Sequence, residues 1–197
     1  MVNIMQQKKM NLRKNKMEKG LSLIEASMVL ALSAIVVSGV MFYYQSASDS
    51  NKTQNTVSQV MSVMSAINGL YVGQASYTGL TDAVLYNSSA VPENYKDKSN
   101  QQINNPFGGK LTVAALSGGY TLTLDRVPKS SCVNIASMNL GTSLQGVGVG
   151  VTNKGSLTPK TLNGKPTKGE VYSGTLTPAN AATLCSDVTN SITFLMK

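Results

Sequence analysis

The chain has no histidine and no tryptophan, two cysteines, and six prolines in 197 residues. Without histidine there is no imidazole base, no serine triad and no histidine metal ligand. Two cysteines cannot build a tetrahedral zinc site on their own. Acids are sparse too. Asp82, Glu93, Asp97, Asp125, Glu170 and Asp187 are spread along the C-terminal part and form no dense acidic loop of the kind that binds calcium. These absences argue against an enzyme: no catalytic residue, no metal and no cofactor is expected. The formal net charge of +8 suggests nucleic acid at first sight, but the charge is unevenly placed. Residues 1–20 hold Lys8, Lys9, Arg13, Lys14, Lys16 and Lys19 against the single acid Glu18. No basic-aromatic stripe remains in the rest, so no nucleic-acid partner is expected.

A second scarcity is more informative. After Glu25 no charged residue occurs until Asp49, and the first proline is Pro92. Ala26 to Tyr44 is apolar apart from three serines. A helix of that length rises ~28 Å, close to the ~30 Å of a bilayer's hydrocarbon. Phe42-Tyr43-Tyr44 falls where the far interface would lie, and the basic residues before it hold the N-terminus in the cytoplasm. Glu25 is the anomaly, since a carboxylate just inside an apolar span is costly and calls for a reason.

The motif Gly20-Leu21-Ser22-Leu23-Ile24-Glu25 after a basic leader resembles the N-terminus of type IV pilin precursors. The leader of 20 residues and the start at Leu21 are similar to the type IVb branch. MetPheTyrTyrGlnSerAlaSerAspSer at 41–50, Asn105-Pro106-Phe107-Gly108-Gly109 and a late cysteine pair bring the chain close to the bundle-forming pilins of enteric bacteria. The resemblance implies a prepilin peptidase cut between Gly20 and Leu21 and N-methylation of the new Leu21 terminus. It also implies a homopolymeric filament built through an inner-membrane assembly platform and an outer-membrane secretin, with roles in bacterial aggregation and attachment to host cells. Glu25, fifth in the mature chain, would set the axial register of assembly by meeting the new α-amino group of another subunit. The precursor would be a single-pass inner-membrane protein with its N-terminus in the cytoplasm, and the assembled form an extracellular pilus.

The expected organisation is a leader at 1–20, a long helix at 21–71 with 21–44 as membrane span and filament core, and an α/β head at 72–197. The fold class is α+β: a long N-terminal helix, apolar in its first half and amphipathic in its second, on an antiparallel sheet, with a disulfide-bonded C-terminal region. Val57, Val60, Met61, Met64, Ile67 and Tyr71 follow helical spacing as the buried stripe, with Ser58, Gln59, Ser62 and Ser65 on the other face. The segment 70–109 reads as a long connection, with a short helix near Thr81–Tyr86 and a tight turn at 105–109. A hairpin is predicted from Lys110–Ala115 and Tyr120–Asp125. Ser130 or Ser131 would cap a helix from Cys132 to Leu140, stopped by Gly141. Val147, Val149 and Val151 alternate with glycines and read as a thin strand. Residues 153–169 form an exposed loop. Thr177-Pro178 opens a short helix, and Ser191–Met196 is a closing strand. Cys132 and Cys185, in a compartment that permits oxidation, read as one bridge.

Two other classes share parts of this pattern. A pseudopilin of a type II secretion system carries the same N-terminal motif. A secreted soluble binding domain would be cut near Ser48, although the apolar run is too long for a signal peptide and carries Glu25 at its start.

Overall fold

The computed structural model describes residues 22–89, 91–153 and 157–197. Within it the chain separates into two units, one ending at Tyr43 and one running from Tyr44 to Lys197.

Of the described residues of the first unit, all from Leu23 onward are helical. Helix α1 spans Leu23–Leu70, with no proline to interrupt it. Its apolar half is long and apolar enough to cross a membrane. The three serines there do not leave polar groups bare. Ser27, Ser33 and Ser38 donate to the carbonyls of Ile24, Val29 and Ala34 at 2.8, 2.7 and 2.7 Å, a local arrangement that hides a hydroxyl within the helix.

The second unit begins with the rest of α1 and builds a seven-stranded antiparallel sheet. Its elements are helix α2 (Asp82–Tyr86), strands β1 (Lys96–Asp97), β2 (Gln102–Asn104), β3 (Lys110–Leu116) and β4 (Gly119–Pro128), helix α3 (Lys129–Ala136), strands β5 (Leu144–Val149) and β6 (Val171–Ser173), helix α4 (Pro178–Leu184) and strand β7 (Thr189–Met196). The strand order is β1-β2-β3-β4-β7-β5-β6. The last strand in sequence therefore lies inside the sheet, between β4 and β5. It pairs Leu122 with Phe194 on one side and Val147 with Phe194 on the other.

The main core takes Val60, Val63 and Ile67 from α1, Leu122, Leu124, Ile192 and Phe194 from the sheet, and Ile135 and Leu184 from α3 and α4. A second, smaller cluster of Val151, Val171 and Leu195 lies apart from it, with Leu116 and Leu157 half-buried against it. Leu195 and Phe194 enter different clusters because successive strand residues point to opposite faces. The predicted glycine-rich strand is β5, and its glycines have a steric reason. A Cβ at Gly146 would stand 2.6 Å from the Tyr172 carbonyl oxygen, and one at Gly148 would stand 2.5 Å from that of Glu170. Only bare backbone lets β6 approach.

Several expectations are corrected. The buried stripe of α1 is Thr56, Gln59, Val60, Val63 and Ile67. Gln59, expected on the outer face, is inside because its Nε2 donates to the Asn104 carbonyl at 2.9 Å; Met61, expected inside, is half exposed to solvent. The connection at 70–109 contains β1 and β2 as well as the short helix. Helix α3 starts at Lys129 behind Pro128 and ends at Ala136 rather than Leu140. Pro128 presets φ for the turn, so neither serine caps it: Ser131 is buried, and Ser130 Oγ donates instead to Asp49 Oδ2 at 2.8 Å. Gly141 opens a single turn of 3-10 helix, Gly141–Ser143, instead of ending α3. The predicted start of α4 holds, with Thr177 Oγ1 accepting from the Asn180 N–H at 3.3 Å.

Candidate assembly helix and outer loops

The residues singled out from the sequence fall in three places. Gly20 and Leu21 lie outside the described residues. Glu25 sits in the first turn of α1. Cys132 and Cys185 are joined in a disulfide, Cα to Cα 5.9 Å across a sequence separation of 53. Both cysteines are fully buried in the main core. The bridge ties α3 to the residue that closes α4, so it staples two helices that cover the sheet.

Glu25 has a local partner that the sequence reading missed. Its Oε2 accepts from the Ser22 backbone N–H at 2.9 Å, while the Ser22 carbonyl takes the first helical bond from Ala26 N–H at 2.9 Å. Ser22-Leu23-Ile24-Glu25 is the S-x-x-E pattern in which the third helical residue reaches back to the cap. The signal was legible in the motif itself. The carboxylate also lies at the positive end of the helix dipole, so it is accommodated before any second chain arrives.

On either side of Glu25, every large apolar side chain from Leu23 to Tyr44 is exposed, from 51% at Val40 to 89% at Leu23. Burying each would be worth about 1.5–3 kcal/mol. This face is the largest uncovered apolar surface on the described residues, and such a surface marks contact with lipid or protein.

The loops after β5 are held by polar contacts two to nineteen residues apart in sequence, which follow no helical or strand period. Lys160 Nζ pairs with Glu170 Oε1. Tyr172 donates its hydroxyl to Glu170 Oε2 at 2.9 Å and accepts from the Thr167 N–H at 2.7 Å. The hydrogen bonds from Lys160 and then Tyr172 hold the Glu170 carboxyl below the ordinary range, and Glu170 in turn raises the Lys160 ammonium. Lys168 pairs with Asp187 at 2.5 Å. Lys160, Lys165 and Gly164 are exposed, as the Gly, Pro and Lys content implies. Among the described residues no group of His, Cys, Asp or Glu is placed to hold a metal.

A long N-terminal helix, half of it unburied and half packed on an antiparallel sheet with a stapled C-terminal region, is the type IV pilin fold. Two solved structures share it. A type IVb pilin from Salmonella typhi aligns at TM-score 0.53 with 19% identity, over 72% of this chain and 97% of that one. A type IV pilin from Vibrio cholerae El Tor aligns at 0.50 with 15% identity, over 75% and 99%. At the level of sequence, the family model for bundlin matches residues 45–193. The major structural subunits of the bundle-forming pilus of Escherichia coli O111:H- and of Escherichia coli O127:H6 (strain E2348/69 / EPEC) are each 54% identical over 188 residues, covering 92% of this chain and 96% of theirs. The chain belongs to the bundlin family.

Proposed function

We infer that this chain is the main structural subunit of a bundle-forming type IVb pilus. The apolar half of α1 holds it in the inner membrane before assembly and stacks against sister helices afterwards. The observation that carries this reading is the uncovered run from Leu23 to Tyr44 in a member of the bundlin family. Such a surface needs lipid in one state and other subunits in the next. A subunit built this way has a structural task rather than a catalytic one.

Processing follows the motif. A prepilin peptidase cuts between Gly20 and Leu21 and Leu21 is N-methylated. The mature subunit then passes through an inner-membrane platform and an outer-membrane secretin to an extracellular filament that gathers bacteria and attaches them to host cells. The loop around 153–170, of which residues 154–156 lie outside the described residues, offers its exposed residues 158–161 and 163–165 as the surface open to those partners. Glu25 sets the axial register by pairing with the α-amino group of another subunit, a contact strengthened in an apolar surround. A second reading of Glu25, favoured by its bond from the Ser22 N–H, is that it serves only to begin α1.

Gly20→Val tests the whole scheme, since a side chain beside the scissile bond obstructs close approach of the peptidase. Immunoblots should show uncut precursor in the inner membrane, and electron microscopy should show no filaments. Normal maturation with normal filaments would refute the reading.

A further inference from the structure

The direction of β4 relative to the second half of α1 is set by contacts at three levels. Tyr71 stacks on Tyr77 at 5.4 Å and Tyr77 on Tyr120 at 4.9 Å, near the C-terminal end of α1. In the middle, Gln59 bonds the Asn104 carbonyl, and Asn105 Nδ2 reaches the Asp125 carbonyl at 2.6 Å. At the other end, Ser130 is bonded to Asp49. Strand β4 therefore runs back along α1 and delivers Arg126 and Lys129 to the level of residues 49–52. Asp49 lies only five residues past Tyr44, ~8 Å along the helix.

This rim of the head has an unusual composition. Lys52, Arg126 and Lys129 are all exposed, and none forms a salt bridge among the described residues. Of the nearby acids only Asp187, which holds Lys168, is offset by a cation; Asp49 accepts from Ser130 and Asp125 from Ser191 at 2.7 Å, so the three bases outnumber the two remaining carboxylates by one. Beside Lys129, whose N–H donates to the Val188 carbonyl at 3.1 Å, the Val188 side chain is 86% exposed. No aliphatic residue of the sheet or its covering helices is as bare. Arg126 adopts φ 56°, a conformation uncommon for a residue with a side chain, at the bulge between Leu124 and Val127.

We propose that Lys52, Arg126, Lys129 and Val188 form a lipid-facing rim that rests on anionic phospholipid headgroups while the subunit is held in the membrane. The proposal rests on the membrane-spanning reading of α1 and adds a second contact to it. Basic side chains beside an anionic leaflet and one aliphatic side chain at the headgroup level are the combination that binds such surfaces. The occupant is a bilayer and not a free anion, because on the membrane-spanning reading the span ends eight residues before Lys52, ~12 Å along the helix. The contact would orient the head before assembly and would be released when the subunit leaves the bilayer.

The test uses the full chain with a fluorophore on Val188→Cys, inserted into vesicles of phosphatidylcholine alone or mixed with phosphatidylglycerol, each carrying a headgroup-level quencher. Flotation with both vesicle types reports insertion of α1; quenching reports the rim. Each basic residue near an anionic surface shifts local partition by roughly fivefold, and with a surplus of one such charge at the rim quenching should be about fivefold stronger with phosphatidylglycerol. It should fall to the phosphatidylcholine level in high salt and in the triple variant Lys52→Gln, Arg126→Gln, Lys129→Gln. Alkylation verifies that the Cys132–Cys185 bridge has closed; where the triple variant fails that check, the salt dependence of the parent decides. Equal quenching in the two compositions overturns the rim, and does so also if the triple variant then loses its filaments, which would make these residues a subunit contact. Failure to float with either vesicle would defeat the membrane reading itself.

Discussion

Asn105 ties the turn between β2 and β3 to β4, and its removal should unfasten that side of the head. The residue is 2% exposed. Its Nδ2 donates to the Asp125 carbonyl at 2.6 Å and, more weakly, to that of Lys110 at 3.4 Å. Its Oδ1 accepts from the N–H groups of Phe107 at 2.9 Å and Gly109 at 3.2 Å. Asn105→Ala leaves the Asp125 carbonyl and the two amides without these partners. A buried group so orphaned costs ~1–3 kcal/mol, and since only Gly109 of the three is fully buried, about 3 kcal/mol in all is expected. That is a large fraction of the ~5–15 kcal/mol of a typical domain. Urea titration of the chain in detergent, followed by near-UV dichroism to which the Tyr71–Tyr77–Tyr120 cluster contributes, reads the loss apart from the far-UV helix signal of α1. Asn104→Ala is the control, because Gln59 bonds only the Asn104 main chain, which the substitution keeps. A loss below about 0.5 kcal/mol for Asn105→Ala, within the range of ordinary surface changes, would refute the argument.

Cys185→Ser opens a loop separated by 53 residues and should lower stability by roughly 4 kcal/mol, read as reduced subunit abundance and faster proteolysis. Glu25→Gln keeps an oxygen to accept from the Ser22 N–H but loses the charge; it should be cut normally yet form few filaments, and normal filament numbers would leave only the helix-starting role. The folded Glu170 carboxyl is held below its unfolded value, so its contribution is present above the ordinary carboxylate range and lost as pH falls through the folded value. Protection of the Thr167 amide, taken relative to its intrinsic exchange rate at each pH, should fall over that descent, and Lys160→Met should weaken the dependence; a protection that stays flat in the parent would count against the clasp.

How much could be read ahead of the structure depended on the range of the interactions involved. Helix α1 and the start of α4 were legible because an uncharged run without proline and a Thr-Pro pair act within a turn or two. The β3–β4 hairpin was legible for the same reason. Gln59 was misplaced because its reason to be inside is a carbonyl 45 residues away, and periodicity alone assigns glutamine to the outside. The start of α3 was displaced because Pro128 fixed the backbone two residues before the serine that looked like a cap. Strands β1 and β2 are only two and three residues long, too short for any alternation to register. The cysteine pair was correctly joined from compartment and count, but which elements it would staple was beyond sequence. The Lys160–Glu170–Tyr172 clasp depends on loop path, which no local pattern encodes.

The position of β7 has a consequence for biogenesis. On the proposed reading of α1 as a membrane anchor, the head crosses the membrane in chain order, and β7 follows the two strands it pairs with. Until residues 189–196 are across, β4 and β5 each present an open edge with unpaired backbone groups, the kind of edge that recruits foreign strands. Both cysteines precede β7, so oxidation can close the bridge while the sheet is still in two pieces. In a crowded membrane full of identical subunits, that interval is when one copy's β7 can enter its neighbour's gap. On that reading, translocation of residues 189–196, rather than formation of the long helix, is the step that commits each copy to being a separate molecule.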